Sequence, residues 1–286
     1  MFPKVSRVGD VLADPGVSKS FHANLGASMR GVVLAGGLGT RLLPMTRVTN
    51  KHLLPVYDRP MIYYPLQQLT AAGIEDILVV TGGDHAGDFL KALRNGQDFG
   101  LDHLRYAYQE GEGGIAEALA LAEPFAAGEP IVVILGDNLF EDSLAPLIHE
   151  FQRNPSGAMV ILKEVDDPAR FGVASVEGDR VVSITEKPSE PETDLAVTGC
   201  YMYDARVFDV IRSLTPSDRN ELEITDVNNR YIEWQELRHT KLNGWWTDAG
   251  TRVSLHHAAN LVAAARENSV LTGGPVISQP GSSGGL

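Results

Sequence analysis

The sequence has a single cysteine, Cys200, in 286 residues. One thiol cannot form an intramolecular disulfide, so a fold that depends on disulfides is excluded and a reducing, cytoplasmic location is expected. The chain also lacks an apolar run approaching the ~20 residues that a membrane-spanning helix requires. We therefore expect no membrane partner.

Basic residues are few: 24 Lys and Arg stand against 37 Asp and Glu, a formal net charge of −13. General nucleic-acid binding needs a basic face to meet the phosphates, so this balance argues against a nucleic-acid partner. It leaves open the binding of one nucleotide, since a few local cations and backbone amides suffice for that. Hydrophobic residues at 43% and charged residues at 21% are ordinary globular values, which excludes wholesale disorder.

The two ends of the chain differ in composition from its middle. The first 28 residues have no continuous apolar stretch, which is not typical of a secretory signal, and we predict a flexible extension over 1–28. Residues 270–286 contain five Gly, two Pro and three Ser, a composition typical of a flexible tail. We place that tail at 268–286, which leaves one folded domain over 29–267.

Within that domain, short apolar runs alternate with helical segments. The β-branched runs Gly31–Ala35, Asp76–Val80 and Ile131–Leu135 predict buried strands. Pro60–Ala72 and Ile115–Phe125 have the apolar spacing of helices. This alternation predicts βαβ units and an α/β fold with a mostly parallel central sheet.

From about Ala158 the pattern changes to closely spaced strands. Four strand-like segments follow one another with little between them: AMVILKEV, FGVASVE, RVVSITE and VTGCYMYD. We expect antiparallel or mixed pairing in this smaller portion.

A glycine-rich loop, Gly36 to Arg41 (GGLGTR), follows the first predicted strand. Its glycines would let backbone amides approach a phosphate chain. Two common nucleotide-binding loops do not match it. The dinucleotide-binding motif requires a third small residue at position 42, which is Leu42, and the Gly-Lys-Ser/Thr of a Walker loop is absent. An ordinary tight turn is the alternative, but three glycines followed by Thr-Arg make it the less favoured interpretation. Lys51, ten residues after Arg41, adds a second cation that could help to neutralise a triphosphate.

The sequence at this point resembles the sugar-1-phosphate nucleotidylyltransferase family, and most closely its thymidylyl-transferring members. The motifs occur in the family's order and spacing over roughly residues 30–265. They are LAGGLGTRL, NKHLLPVYDRPMIYYPL, GGIAEAL, LGDN, EKP, VTGCYMYD, ELEITDVN and WWTDAGT. The resemblance implies a Rossmann-like nucleotidyltransferase fold whose antiparallel portion binds a sugar.

The resemblance implies a nucleotide site in which Arg41 and Lys51 are the catalytic cations. Gln109 would read the edge of a pyrimidine, because its amide presents both a donor and an acceptor, as an imide edge requires. As bare sequence, Gln109 would be a surface amide before a turn. The nucleotide-binding residues implied are Leu34, Gly36, Gly37, Gly39, Thr40, Gln109 and Gly114.

Two aspartates are implied as ligands of Mg²⁺. Asp137 ends a predicted parallel strand, where a carboxylate points into the crevice that binds ligands in open α/β sheets. The resemblance pairs it with Asp248, and Mg²⁺ prefers one or two carboxylates plus substrate phosphates. On its own, Asp248 could equally be a turn residue.

A second substrate site is implied by Glu186-Lys187-Pro188. Lys187 resembles the cation for a sugar 1-phosphate, and Glu186 a carboxylate that accepts hydrogen bonds from sugar hydroxyls. As bare sequence, such a pair is usually a solvated turn. The sugar-phosphate-binding residues implied are Gly172, Glu186, Lys187, Val197, Tyr201 and Arg219.

The implied reaction joins glucose 1-phosphate, or a close sugar 1-phosphate, to the thymidylyl group of dTTP. A phosphate oxygen attacks the α-phosphorus in line and pyrophosphate leaves, so neither a general base nor an organic cofactor is expected. The product, dTDP-glucose, would feed deoxysugar and cell-surface polysaccharide synthesis. The resemblance also implies a homo-oligomer, a tetramer or a dimer.

Three alternatives to this reaction remain open. UTP could replace dTTP, since one Gln cannot distinguish thymine from uracil. A non-catalytic nucleotide-sugar sensor is a second, against which the joint presence of Arg41, Lys51, Asp137 and Asp248 argues. The third, a nicotinamide dehydrogenase, lacks both the third glycine and a suitable acid about 20 residues on.

Overall fold

The computed structural model describes residues 28–272 of the chain. The strands within this range are β1 (Arg30–Ala35), β2 (Pro55–Val56), β3 (Arg59–Pro60), β4 (Ile77–Gly82), β5 (Leu104–Gln109), β6 (Ile131–Leu135), β7 (Asn138–Phe140), β8 (Ala158–Glu164), β9 (Gly172–Glu177), β10 (Arg180–Glu186), β11 (Leu195–Tyr203), β12 (Leu237–Lys241) and β13 (Trp246–Asp248). The α-helices are α1 (Tyr63–Ala71), α2 (Ala86–Leu93), α3 (Ile115–Ala120), α4 (Glu123–Ala126), α5 (Ala145–Arg153), α6 (Val207–Ser213), α7 (Ile224–Glu233) and α8 (Arg252–Thr272).

The parallel half of the main sheet has the strand order β5-β4-β1-β6. β1 lies in the middle, with Val32 opposite Leu78 of β4 on one side and Val133 of β6 on the other. Each of these strands is followed by one or two helices that return the chain to the start of the next, which is the βαβ arrangement that the alternating pattern predicts. The three strands predicted before Ala158 are all confirmed.

The antiparallel half continues the same sheet through β11, which pairs antiparallel with β6, β8 and β9. A register shift between Val197 and Tyr201 separates two parts of β11. The first part contacts β9 and the second contacts β6, so one strand joins the parallel half to the β9–β10 hairpin. The result is a nine-stranded mixed sheet, which confirms the fold class predicted from the sequence.

Successive residues of β1 point into two separate apolar cores. Val32 and Leu34 pack on one face of the sheet with α3, α4, α6 and α7. Val33 and Ala35 pack on the other face with α1, α2 and α5. This period-two alternation between two covered faces explains why the strand is apolar from Val32 to Ala35. A smaller cluster joins α8 to β2 and β7.

The helix predicted over Ile115–Phe125 is two helices, α3 and α4, and that prediction was wrong in its continuity. Pro124 explains the break. In a continuous helix its ring would clash with the carbonyl of Ala120, four residues earlier, and α3 ends at that residue. Pro124 is instead accommodated in the first turn of α4, where a missing N–H costs nothing.

A crevice forms between the carboxyl ends of β1 and β6. From β1 the chain proceeds to β4 and β5 on one side, and then β6 returns to the other side of β1. The connections leaving β1 and β6 therefore diverge, and open α/β sheets bind ligands at such a point.

The limits of the described range bear on the two predicted flexible ends. Residues 1–27 of the extension predicted over 1–28, and residues 273–286 of the tail predicted over 268–286, lie outside the described residues. α8 continues past the predicted domain end at 267 to Thr272. No helix in the described range combines the length and apolar composition of a membrane span.

Candidate active site

A cleft with a volume of about 530 Å³ opens at the carboxyl ends of β1 and β6 and extends to β10, a size typical of ligand sites. Most of the site residues predicted from the sequence line it. They are Leu34, Gly36, Gly37, Arg41, Lys51, Gln109, Gly114, Asp137, Gly172, Glu186, Lys187, Val197, Tyr201 and Asp248. Gly39, Thr40 and Arg219 do not line this cleft.

The glycine-rich loop leaves β1 at the floor of the cleft. A Cβ atom on Gly36 would lie 2.3 Å from Oε1 of Gln109, so a side chain at Gly36 would displace Gln109. After Gly39, a short 3₁₀ turn over Thr40–Leu42 buries Leu42 and leaves Arg41 exposed beside the cleft. The loop therefore positions one cation at the crevice while its glycines keep the space in front of β1 clear.

Lys51 and Asp137 form an ion pair with an Nζ–Oδ2 distance of 2.6 Å, and both side chains are only 13% exposed. Burial by itself would raise the pKa of Asp137. The Lys51 ammonium and the hydrogen bonds of the carboxylate outweigh that effect and hold the pKa of Asp137 well below its usual range. Asp137 is therefore an anion throughout the neutral pH range.

Asn138 orients Asp137, and the sequence reasoning did not assign it a role. Its Nδ2 donates to Oδ1 of Asp137 at 3.0 Å. Its Oδ1 accepts from the backbone N–H of Gly199 at 2.9 Å and from Nε1 of Trp246 at 2.7 Å. One buried amide thus ties β7, β11 and β13 together behind the Asp137 carboxylate. In the sequence, the position of Asn138 directly after Asp137 could have indicated this role.

Asp248 reaches the same point through strand pairing. β13 runs antiparallel to β7 with Asp248 opposite Asn138, and the N–H of Ala249 donates to the Asp137 carbonyl at 2.8 Å. A Cβ atom on Gly250 would lie 3.1 Å from Asp248 Oδ2 and 3.6 Å from Asp137 Oδ2. The two carboxylates, 111 positions apart in the chain, therefore converge.

Arg41 faces the same point, and its environment differs from that of Lys51. Its Nη2 lies 3.3 Å from the position of that Gly250 Cβ. Within the described part of the chain, the Arg41 guanidinium donates no hydrogen bond and forms no ion pair. Its five donors are therefore available to an anionic ligand, whereas the Lys51 ammonium is engaged by Asp137.

Arg170 is a fourth cation of the cleft, beside Arg41, Lys51 and Lys187, and it was not predicted from the sequence. Its Nη2 donates to both oxygens of Asp248, at 3.0 and 3.3 Å, and its guanidinium stacks over the Phe171 ring at 5.1 Å. Burial and the neighbouring Asp137 raise the pKa of Asp248, and Arg170 opposes that rise. Arg170 lies two positions before Gly172, a residue predicted from the sequence to belong to the site, and this proximity could have indicated it.

Glu186 and Lys187 form the β10 end of the cleft. Oε2 of Glu186 accepts from Thr225 at 2.6 Å, and its Oε1 lies 3.0 Å from Nζ of Lys187. Lys187 has a φ of +42°, which is unfavourable for a residue with a side chain, and its N–H donates to the Phe171 carbonyl at 3.0 Å. The surrounding structure, including this hydrogen bond to Phe171, holds Lys187 in the strained conformation.

Arg219 contributes differently from the expectation that it contacts a ligand. Its Nη2 donates to Glu186 at 3.3 Å and to Glu223 at 2.7 Å. Since Arg219 does not line the cleft, its described contacts serve to hold Glu186 in place.

Gln109 lies at the β5 end of the cleft. Its Nε2 donates to the carbonyl of Gly114 and to the carboxylate of Glu117, a residue that was not predicted from the sequence.

The carboxylates of Asp137 and Asp248 are the residues that could hold a metal ion. Among the described residues there is no cluster of three or more His, Cys, Asp or Glu side chains suited to a metal. Two converging carboxylates are hard oxygen donors of the type Mg²⁺ prefers, and substrate phosphates commonly supply further ligands. The site fits a cation that binds together with a phosphate ligand.

The chain is similar to known proteins over most of its length. The nucleotidyl transferase family model matches residues 30–265. A glucose-1-phosphate thymidylyltransferase of Neisseria meningitidis is 45% identical over 238 residues, 82% of each chain. A Bacillus anthracis crystal structure, assigned as a glucose-1-phosphate thymidylyltransferase and complexed with a sucrose, is 50% identical with a TM-score of 0.78, covering 82% of this chain and 94% of that one.

A more distant structure extends the comparison to uridine nucleotides. A UDP-glucose pyrophosphorylase complexed with UDP-glucose is 25% identical, with a TM-score of 0.72, and the match covers 83% of this chain and 99% of that one. The family model, the curated relative and the solved structures thus indicate one family over most of the chain. The protein belongs to the nucleotidyl transferase family.

Proposed function

We propose that this protein transfers a thymidylyl group from dTTP to glucose 1-phosphate or a close sugar 1-phosphate, releasing pyrophosphate. The observation that carries the proposal is the convergence of Arg41, Asp137 and Asp248 in the middle of one cleft. Gln109 lies at one end of that cleft and the Glu186–Lys187 pair at the other. A nucleotide bound at one end and a sugar phosphate bound at the other would meet in the middle of the cleft, beside Arg41.

The reaction requires no covalent intermediate with the protein. The attacking phosphate oxygen is already anionic, so no residue has to remove a proton. Positioning and charge stabilisation then carry the rate enhancement. Arg41, whose donors are free, would bind the phosphates and stabilise the leaving pyrophosphate. Lys187 would hold the sugar phosphate in line, and Glu186, fixed by Thr225, would accept hydrogen bonds from sugar hydroxyls.

Asp137 and Asp248 are the residues that we assign to Mg²⁺. Their convergence near Gly250 supports the assignment. The ligands must be ionised to hold the cation, and the ammonium of Lys51 keeps the pKa of Asp137 low while Arg170 opposes the rise in the pKa of Asp248. When bound, Mg²⁺ would neutralise charge on the phosphates. Lys51 and Arg170 compensate the same two carboxylates in the structure and keep them oriented into the cleft.

The relatives favour the thymidylyl reaction over its uridylyl counterpart. Two proteins named glucose-1-phosphate thymidylyltransferase are 45 and 50% identical to this chain, whereas the uridine-nucleotide neighbour is 25% identical. A nucleotide-sugar sensor on the same fold would have no need for an unpaired Arg41 facing two converging carboxylates. A cytoplasmic location, a homo-oligomer and a role in deoxysugar synthesis stay predictions.

The nucleotide preference is the direct test of this function. With glucose 1-phosphate and Mg²⁺, we expect kcat/KM for dTTP to exceed that for UTP, measured by pyrophosphate release. One methyl group in an apolar pocket accounts for about 1–3 kcal/mol, or about 10–200-fold. Adding dUTP and 5-methyl-UTP separates the methyl contribution from that of the 2′-hydroxyl. A preference for UTP would overturn the thymidylyl assignment and leave the nucleotidyl transfer standing.

Replacing Lys187 with Ala should weaken use of the sugar phosphate more than use of dTTP. Lys187 is the cation at the β10 end of the cleft, far along it from Gln109, so its loss should raise KM for glucose 1-phosphate. Lys91→Ala is the matched control, since Lys91 is 82% exposed and pairs with Asp88 outside the cleft. Equal changes in KM for both substrates would mean that Lys187 only supports the fold of the cleft.

A further inference from the structure

The side-chain amide of Gln109 is held in one orientation at the β5 end of the cleft. Its Nε2 donates to Oε2 of Glu117 at 2.9 Å and to the carbonyl of Gly114 at 3.3 Å. An amide nitrogen carries two N–H groups, so these two partners occupy both donors. The Gln109 side chain is buried, 6% exposed, and cannot exchange these partners for solvent without moving.

The other half of the amide carries no hydrogen bond. Among the described residues none donates to Oε1 of Gln109, and this oxygen lies over Gly36, where the absence of a side chain gives it room. Both Gln109 and Gly36 line the cleft. What Gln109 offers to a ligand is therefore an acceptor alone, and not the donor and acceptor together that the sequence led us to expect.

Glu117 prevents the amide from turning over. A carboxylate accepts hydrogen bonds and donates none, and the Gly114 carbonyl is likewise an acceptor. Rotating the amide by half a turn would set Oε1 against both acceptors and leave Nε2 without them, which is costly in a buried position. A glutamine at position 117 would impose no such restriction, since its amide can present either a donor or an acceptor.

The position of Glu117 is itself built into the loop. A Cβ atom on Gly113 would lie 2.2 Å from the carboxyl carbon of Glu117, so only a glycine leaves space for the carboxylate there. Glu117 follows in the first turn of α3, which holds its backbone. The contact between Glu117 and Gln109 thus depends on a helix and on a bare glycine, and not on two mobile surface chains.

We infer that Glu117 is a positioning residue that sets base specificity by making Gln109 an obligate acceptor. Such an acceptor matches the N3–H of thymine or uracil and opposes the unprotonated N3 of cytosine. The inference rests on the proposed function, since it concerns how that nucleotide is read. It adds that an acidic residue on another element, α3, determines which half of the Gln109 amide faces the base.

The test compares dTTP with 5-methyl-dCTP, which share the sugar, the triphosphate and the methyl group and differ at N3 and the 4-position. The wild-type protein should use dTTP at least about 10³-fold better, as expected of a site built around a hydrogen bond. Glu117→Gln should lower this ratio of kcat/KM values about 10- to 100-fold, the contribution of one hydrogen bond to a charged group. KM for glucose 1-phosphate should not change.

Glu110→Gln is the matched control, because it makes the same charge change next to Gln109 on an exposed side chain outside the cleft. Its ratio should equal that of the wild type. If Glu117→Gln does not fold, Glu117→Asp replaces it, because the shorter side chain withdraws the carboxylate from Gln109. The same decrease in the ratio of kcat/KM values is then expected. Binding of dTMP and 5-methyl-dCMP by calorimetry gives the same comparison without turnover.

The outcomes separate this inference from the proposed function. A wild-type ratio near one, or an unchanged ratio in a folded Glu117 variant that still uses dTTP, overturns the role of Glu117 and leaves thymidylyl transfer intact. Absence of dTTP turnover in the wild-type protein overturns the proposed function instead. A lowered ratio in the Glu117 variant, with the Glu110 control unchanged, supports the inference.

Discussion

Replacing Arg41 with Ala should lower kcat by about 10²–10³, the effect of losing one preorganised electrostatic donor. Arg41 lies beside the two converging carboxylates, and its guanidinium has no partner among the described residues. Its interactions are therefore reserved for the ligand. Because the charge that it stabilises develops as pyrophosphate leaves, kcat should fall more than KM for dTTP rises.

The matched control for Arg41 is Arg47→Ala, which removes an exposed arginine from the next 3₁₀ turn, outside the cleft. It should retain the wild-type rate. Arg41→Lys should recover only part of the activity, because an ammonium cannot reproduce the planar fork of donors. A wild-type kcat for Arg41→Ala would show that Lys51 or Arg170 supplies the charge stabilisation, and would contradict the role given to Arg41.

The second large effect concerns the carboxylates. EDTA should abolish turnover, and Asp137→Asn or Asp248→Asn should each lower kcat by about 10² or more, because each removes one of two protein ligands of the same cation. The double variant should lose little beyond either single one, since both residues would serve one ion. Turnover in EDTA, or a wild-type rate in either variant, would remove the metal assignment.

Asp137→Asn has a second consequence that must be separated from metal loss. It leaves the Lys51 ammonium, only 13% exposed, without its counter-charge, so the variant should also be less stable. Mn²⁺ binding by electron paramagnetic resonance, together with the Tm, distinguishes the two effects. Asp102→Asn, on an exposed residue, is the control and should alter neither.

Local patterns in the sequence were sufficient to predict three of the four strands in the parallel half of the sheet, but not β5, whose residues are mostly half-buried or exposed. β1, β4 and β6 are apolar because both of their faces are covered, and a short β-branched run expresses that burial without reference to the rest of the chain. The division between α3 and α4 was missed because apolar spacing continues across it. Pro124 alone encodes the break, through a steric clash that periodicity does not register.

The site residues were predicted from ordered motifs, which identify each residue but not its partners. Asp248 was assigned by resemblance, and the antiparallel pairing of β13 with β7 is what brings it to Asp137. A sequence cannot distinguish Arg41 from Lys51, since both are cations near the same loop. Only the folded chain leaves Arg41 free and commits Lys51 to a carboxylate.

The chain's pattern of burial, its glycine-rich loop and its motif order were thus determined by the sequence alone. The tertiary structure decided which charges and amides face one another: Arg170 with Asp248 across 78 positions, and Asn138 with Trp246 across 108. The physical reason is the range of the interactions. Periodicity, turn formation and proline strain act between near neighbours, whereas a hydrogen bond or an ion pair depends on a distance of about 3 Å that only the packed sheet sets.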